Sequence, residues 1–394
     1  MVKSSTKSKQ FRLYILLAMW IGAIPCFAQT WVDTLDSYAR ESYLPPSRYM
    51  WTWQDAALLN TMVKEYEVSS SSQKQIYLDY IKKAMRVSMP LANGRTPNDV
   101  ASGLGLAFLY KVTKEEKYKV KAEKIYAQYL KIRRTKDGAV SHLSRNIELW
   151  DDTMFMIGQF LLAMYEATGD QKYLDEFMKQ FRIHREKLQD KTTGLWYHGW
   201  DSDNKDHCFI CGQTHWPDKT TRQSTEIWGR GNGWIVVTLA DALDAMGEKN
   251  QYYGELAGYL KEMIVRLPEL QDKKTGHWYQ LPVRNTEPGN YIESSCTAMF
   301  AYGIEGALRM KIVSDNSFAK STELAYAGLR KYSLVPTHKK YLITQNVCTA
   351  TCIGDKEYYL HRAVQKGKPY GIGMCIQFGL RYELDHGQRS KGQQ

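Results

Sequence analysis

Apolar and polar positions alternate along this chain in long blocks. Met154 to Met164, Ile235 to Leu243 and Thr297 to Ile304 are apolar nearly all round, as buried helices are. Two of these blocks, and the shorter Leu104 to Tyr110, run into polar turns: Val112 to Tyr118, Ala167 to Tyr173 and Met246 to Tyr252. A second, amphipathic helix follows each turn, as in Tyr173 to Leu188 and Tyr253 to Leu267. Within the former, Tyr173, Phe177, Phe181 and His184 fall at helical spacing. The unit is an inner helix, a short turn, an outer helix and a long returning loop.

The returning loops resemble one another. Asp190-Lys191-Thr192-Thr193-Gly194-Leu195-Trp196-Tyr197-His198 is copied 82 residues later as Asp272-Lys273-Lys274-Thr275-Gly276-His277-Trp278-Tyr279-Gln280. Lys136 to His142 is a fainter third copy. Gly194 to His198 and Gly276 to Leu281 are the two stretches expected to be extended, as short loop strands. Such self-similarity predicts stacked helical hairpins. An open solenoid and a closed ring both satisfy the repeat, and the all-round apolar inner helices favour closure. The expected fold is therefore all-α, an α/α barrel whose long loops gather at one end, where a pocket belongs.

The first 28 residues carry a different pattern. Lys3, Lys7, Lys9 and Arg12 precede an apolar run from Leu13 to Phe27, ending at Cys26-Phe27-Ala28. That run is shorter than the roughly 20 residues of a spanning helix and reads as a cleaved export signal. A lipid anchor at Cys26 competes, but Pro25 stands where a small residue is wanted. The organisation expected is a signal at 1–28, one catalytic domain over 29–385 and a polar tail at 386–394. At about 60 residues per hairpin, the 366 residues after the signal hold six hairpins. Losing four basic residues takes the net charge from +11 to +7, which suits an acidic ligand but forms no nucleic-acid stripe. No stable membrane association is expected, and the chain should be a monomer or weak dimer.

Aromatic residues make up 12% of the chain, with 11 Trp and 27 Tyr, a composition suited to stacking sugar rings as well as to filling a large core. The close pairs Cys208/Cys211 and Cys348/Cys352 allow local disulfides in an oxidising compartment. His207 and His215 flank the first pair, but a lone C-x-x-C is a weak zinc signal, and no metal or cofactor is expected. Cys296 and Cys375 lie in apolar stretches and read as buried thiols.

Three segments carry candidate chemistry. In Trp150-Asp151-Asp152, two carboxylates open an apolar helix. One serves as an N-cap; the other, sheltered beside Trp150 and Met154, would have a raised pKa suited to general acid catalysis. Capping alone explains the pair equally well. Asp99 stands the same way before Leu104 to Tyr110. In Trp228-Gly229-Arg230-Gly231-Asn232-Gly233-Trp234, the glycines would let backbone approach a ligand while Arg230 grips a carboxylate; a glycine-rich turn with a surface Arg is the alternative. His142 and His198 end equivalent loops, which places them at one barrel end.

These motifs, with Trp196-Tyr197-His198-Gly199-Trp200-Asp201 and Glu293 to Gly303, resemble the unsaturated rhamnogalacturonyl hydrolases of glycoside hydrolase family 105 and, more distantly, the unsaturated glucuronyl hydrolases of family 88. The resemblance spans about residues 45 to 382. It implies an (α/α)6 barrel and removal of a 4,5-unsaturated uronic acid from oligosaccharides made by polysaccharide lyases. It also implies Asp152 as catalytic acid/base and Asp99 as an assisting carboxylate. His142, His198, Arg230 and Trp234 would meet the substrate, with Trp53 (or Trp51) stacking on it. Asp151 departs from the family pattern, which has an apolar residue there. The rival functions are an ordinary inverting glycosidase on saturated glycans and a non-catalytic glycan-binding repeat protein.

Overall fold

The computed structural model describes residues 29–202, 216–337 and 341–389. Its helices, in chain order, are α1 (Trp31–Tyr38), α2 (Trp53–Val68), α3 (Ser71–Ser88), α4 (Pro97–Ala101) and α5 (Gly103–Thr113). Then come α6 (Glu116–Tyr129), α7 (Asp152–Thr168), α8 (Gln171–Leu188), α9 (Gly229–Met246) and α10 (Tyr253–Ile264). The chain closes with α11 (Leu267–Leu270), α12 (Ser294–Arg309), α13 (Asn316–Gly328), α14 (Lys356–Leu360) and α15 (Pro369–Asp385).

Helices α2, α5, α7, α9, α12 and α15 form a ring in which each packs on the next and α15 closes back on α2. The outer layer is α3, α6, α8, α10, α13 and α1, each against an inner partner. This is the (α/α)6 architecture, and the solenoid alternative falls because the ring shuts. The inner helices are buried nearly throughout; α9, for example, is buried from Gly229 to Leu243. The outer α8 buries one face, carrying Tyr173, Phe177, Phe181 and His184. No helix among the described residues is long and apolar enough to cross a membrane.

The copied loops fold alike. In each, an Asp carbonyl accepts from a glycine amide four residues on, at 2.8 Å for both Gly194 and Gly276. Both glycines have positive φ, +76° and +73°, and a Cβ on either would meet a backbone carbonyl oxygen of the neighbouring outer helix. The tryptophan of each loop is then pinned by the first turn of an inner helix: Trp196 N donates to Asn232 Oδ1 at 2.7 Å and Trp278 N to Thr297 Oγ1 at 3.0 Å.

The expected loop strands are shorter than their pattern suggested. Gly194 to His198 makes a single bridge at Trp196, and Gly276 to Leu281 a single bridge at Tyr279. The pairing lies just beyond, where β1 (Glu148–Trp150) runs antiparallel to β2 (Gly199–Asp201), Trp150 opposite Gly199. Two further antiparallel pairs, β3 (Leu334–Pro336) with β4 (Leu342–Thr344) and β5 (Val347–Cys348) with β6 (Val364–Gln365), carry no periodic sequence signal. The expected signal segment and residues 390–394 lie outside the described residues. Of the polar tail, Arg389 turns back to pair with Asp33 of α1 and with Glu383.

Candidate active site

All six inner helices begin at the loop end of the barrel. There Asp151 opens α7 as its N-cap, its Oδ1 accepting from Asp152 N at 2.8 Å. The first turn of α9 lies against it so closely that a Cβ on Gly231 would stand 2.1 Å from Asp151 Oδ2. The glycines of Trp228 to Trp234 were expected in a loop facing a ligand. They lie instead inside the first turns of α9, and what approaches them is protein: Asp151 at Gly231 and Met299 at Gly233. Asp151 is fully buried and its Oδ2 has no hydrogen-bond partner, whereas the Asp152 side chain keeps 12% exposure.

The two carboxyls divide their protons unequally. Burial, with the negative charge of Asp152 beside it, pushes Asp151 well above the usual carboxylate range. Burial also pushes Asp152 upward, but His198, His142 and Asp151 together outweigh it, the hydrogen bond from His198 foremost, and hold this carboxyl below its ordinary value. The two carboxyls act on each other, and the opposite directions of their shifts make Asp151 the more readily protonated of the two. The expectation that the capping Asp and the raised Asp would be different residues is corrected here: Asp151 is both.

His198 links this pair to the rest of the pocket. Its Nε2 meets Asp152 Oδ2 at 3.1 Å and its Nδ1 meets the Tyr359 hydroxyl of α14 at 2.7 Å. Burial lowers the His198 pKa, so the ring is neutral; the partners assign the proton to Nε2, donating to Asp152, with Nδ1 accepting from Tyr359. His142 lies nearly parallel to Trp150 at 4.5 Å between centroids, while His198 meets the same indole edge-on at 5.4 Å. His142 Nδ1 also bonds Thr153 Oγ1 at 2.9 Å, and burial lowers its pKa to about 4. The equivalent loops thus bring both histidines to one tryptophan beside Asp152.

Arg230 anchors the opposite wall. Its guanidinium lies between the rings of Trp228 and Tyr370, each 4.5 Å away, and Trp53 stacks on Tyr370 at 5.2 Å. The fork that was expected to grip a ligand carboxylate donates to the carbonyls of Cys348 and Thr349, at 2.7 and 2.6 Å. Glu293 backs the arrangement, accepting from Cys348 N at 3.0 Å with its carboxylate 3.7 Å from Arg230. Although bound to backbone, Arg230 is close enough for its charge to act on both His198 and Asp152.

The remaining candidates divide. Asp99 completes a capping box on α4, its Oδ2 accepting from Thr96 N and Oγ1, and α4 packs against α7. Trp51 donates its indole N–H to the Asp99 carbonyl at 2.7 Å. Trp53 is half-buried. Trp234 has no exposed surface; its ring packs on Phe155 at 4.2 Å and is core in this structure. Tyr359 and Tyr370 were missed from sequence. Nothing local marks them, since both come from the C-terminal third and reach the site only through barrel closure.

Asp151, Asp152 and His198 are also the one group among the described residues that could hold a metal ion, with ligand atoms within 4.8 Å of one another. Two carboxylates and an imidazole suit a divalent cation, but hydrogen bonds already account for the His198 nitrogens. Cys208, Cys211, His207 and His215 lie outside the described residues. Cys348 is a buried free thiol and Cys352 is disulfide-bonded, so these two are not paired with each other. Cys296 and Cys375 are buried thiols, as expected.

Residues 24–384 match the profile of Glycosyl Hydrolase Family 88. The chain belongs to that family. It is 28% identical over 271 residues to the unsaturated rhamnogalacturonyl hydrolase YesR of Bacillus subtilis, covering 66% of this chain and 70% of that one. A family 105 glycoside hydrolase from C. acetobutylicum superposes with a TM-score of 0.78 at 23% identity, over 90% of this chain and 99% of that one. The unsaturated glucuronyl hydrolase of Bacillus sp. GL1 superposes at 0.62 and 17% identity, over 84% and 86%. These matches support the family 105 resemblance read from the motifs, and the family member described here is a glycoside hydrolase.

Proposed function

We propose that this hydrolase removes a 4,5-unsaturated uronic acid from the non-reducing end of lyase-generated oligosaccharides, of rhamnogalacturonan type or a related glucuronyl-rhamnose type. The observation that carries the reading is the adjacent carboxyl pair Asp151 and Asp152, with Asp152 held by His198 at 3.1 Å beside Trp150 and His142. The C4=C5 bond of the substrate is a vinyl ether, for which one well-placed acid suffices. Asp152 is the carboxyl with exposed surface, so it delivers the proton to C4 while Asp151 serves as the reservoir that recharges it. The cation that forms at C5 is shared with the ring oxygen. Water adds at C5, giving up a proton to Asp152, and the resulting hemiketal opens to a ketone. That opening leaves a hemiacetal at C1, which collapses and releases the remaining sugar chain.

The other residues take supporting parts. Neutral His198, held by Tyr359, orients Asp152. Arg230 supplies a fixed positive charge that favours an acidic substrate, while Trp53 offers a ring face for a sugar. His142 and Asp99 are further candidates from the resemblance, Asp99 through its position on α4 beside α7. An inverting glycosidase needs two carboxylates roughly 6.5–9.5 Å apart with water between them, whereas Asp151 and Asp152 have carboxylate oxygens within 4.8 Å of each other.

Export to the periplasm or medium belongs to the same proposal. It is supported by the residue pattern of 1–28 and by a disulfide at Cys352, which persists in oxidising compartments. The test is incubation of the purified protein with unsaturated oligosaccharides from pectin- and ulvan-type lyase digests, following ultraviolet absorbance of the conjugated double bond. Loss of absorbance with release of a shortened saccharide is expected. Stable absorbance on every digest would overturn the reading.

A further inference from the structure

Complementary partners stitch neighbouring outer helices together around the barrel. Tyr77 of α3 donates to Asp36 of α1 at 3.0 Å, and Tyr129 of α6 donates to Glu176 of α8 at 2.6 Å. Between α8 and α10, Arg182 meets Glu255 at 2.6 Å and Arg185 meets Glu262 at 2.5 Å. The seam between α3 and α6 departs from this pattern. An open groove of about 450 Å³ lies there, and none of its lining residues is acidic.

Arg86 of α3 stands on one wall, and Lys117, Lys121 and Lys124 of α6 on the other. The three lysines follow at i, i+4 and i+7, which sets them in one row, about 5–6 Å apart. Lys117 pairs with Glu115 at the start of that row. Among the described residues, no carboxylate or hydrogen bond engages Arg86, Lys121 or Lys124. Arg86 and Lys124 are exposed and Lys121 is half-buried. The acids of α6 are turned elsewhere: Glu116 accepts from the Tyr110 hydroxyl at 3.4 Å, and the charge of Glu123 acts on Tyr173 of α8. Like charges on facing walls repel, so the seam favours an anion between them, and such departures from a fold's own pattern concentrate at functional sites. Met89, Pro90 and Val120 give the groove an apolar lining as well. The turn Met89–Leu91 leads on to Asn93, whose carbonyl accepts from the Trp51 indole at 3.1 Å, and then to Asp99. The groove therefore flanks the loop end of the barrel.

We propose that the α3–α6 seam is a secondary binding site for an anionic polysaccharide, a chain of uronate-bearing sugars lying along the row of cations. Carboxylates of the polymer meet Lys121, Lys124 and Arg86, while sugar C–H faces cover Met89, Pro90 and Val120. An anionic membrane fits less well, because no aromatic ring is exposed among the described residues to enter a bilayer interface. The choice of uronate rests on the reaction proposed above; the call for a polyanion rests on the groove alone. An enzyme held on the polymer would stand where lyases release its substrate.

The test is biolayer interferometry of the purified protein on immobilised polygalacturonate, with amylose as the neutral polymer and phosphatidylglycerol vesicles as the membrane probe. Polygalacturonate has no unsaturated end, so binding is read whether or not the proposed hydrolysis occurs. Saturable binding to polygalacturonate is expected, absent on amylose and weakened as salt rises from about 0.05 to about 0.5 M. Lys121→Glu/Lys124→Glu should weaken it about tenfold, since two exposed ion pairs become repulsions. Arg86→Glu should weaken it from the opposite wall. Lys261→Glu/Lys320→Glu makes the same charge change on exposed positions of α10 and α13, and should leave affinity within about twofold. Circular dichroism of every variant should match the parent. Absence of saturable binding, binding that the groove variants retain, or equal loss in both double variants would overturn the proposal. So would tighter binding to the vesicles than to polygalacturonate.

Discussion

Replacing Gly231 by Ala probes the carboxyl pair without touching either member. The new methyl carbon would stand 2.1 Å from Asp151 Oδ2, 2.5 Å from its Cγ and 2.6 Å from Oδ1, whereas ordinary contact begins near 3.4 Å. Asp151 must retreat by about 1.3 Å or the first turn of α9 must lift away. Neither is free, because Asp151 is fully buried and caps α7 through Asp152 N. Overpacking of this size costs typically about 1–3 kcal/mol of stability. A displacement of about 1 Å in a catalytic group costs on the order of 10²-fold in rate. Gly231→Ala should therefore lower kcat on an unsaturated oligosaccharide about a hundredfold, while the melting temperature drops by only a few degrees. Absorbance-monitored kinetics and differential scanning calorimetry supply the two readouts. A variant with wild-type kcat and an unchanged pH profile would refute the claim that the Asp151–Asp152 geometry governs the reaction.

Asp152→Asn should abolish the absorbance loss with the fold intact by circular dichroism; full activity would move the proton donor elsewhere. The Asp151 proton is lost as pH rises through its elevated pKa, so activity should fall on the alkaline side above the usual carboxylate range, and Asp151→Asn should shift that limb to lower pH. An identical profile in that variant would count against the reservoir role. His142 and His184 are both depressed to about 4, so each contributes stability that is present above pH 6.5 and lost as pH falls toward 4, roughly 3 kcal/mol apiece at the limit. His184→Leu, away from the site on α8, should flatten the melting temperature between those pH values. Gly258, inside α10 with nothing within 4 Å of an added Cβ, should accept Ala with a gain of about 0.5–1 kcal/mol, read from chemical denaturation. Activity should survive prolonged EDTA treatment; inactivation reversed by a divalent cation would instead make Asp151, Asp152 and His198 metal ligands.

Much of this molecule was legible in its chain because the signals are local. All-round apolar helices followed by one-faced helices fixed the inner and outer layers, and the copied Asp-to-Trp loops fixed their repetition. Glycines at 194 and 276 take positive φ in both copies, so the same residues build the same turn. The repeat also placed His142 and His198 at one end, where both meet Trp150. What the chain left open were choices between neighbours and meetings between distant segments. Asp151 and Asp152 are equivalent by composition. Their difference comes from Gly231 of α9 burying one and His198 holding down the other. Arg230 reads as a free cation in sequence, yet its fork is taken by carbonyls more than a hundred residues away. Tyr359 reaches His198 only once α15 closes on α2. Local periodicity specifies each helix and its buried face; proton affinity and hydrogen-bond partnership depend on what ring closure brings within a few ångströms.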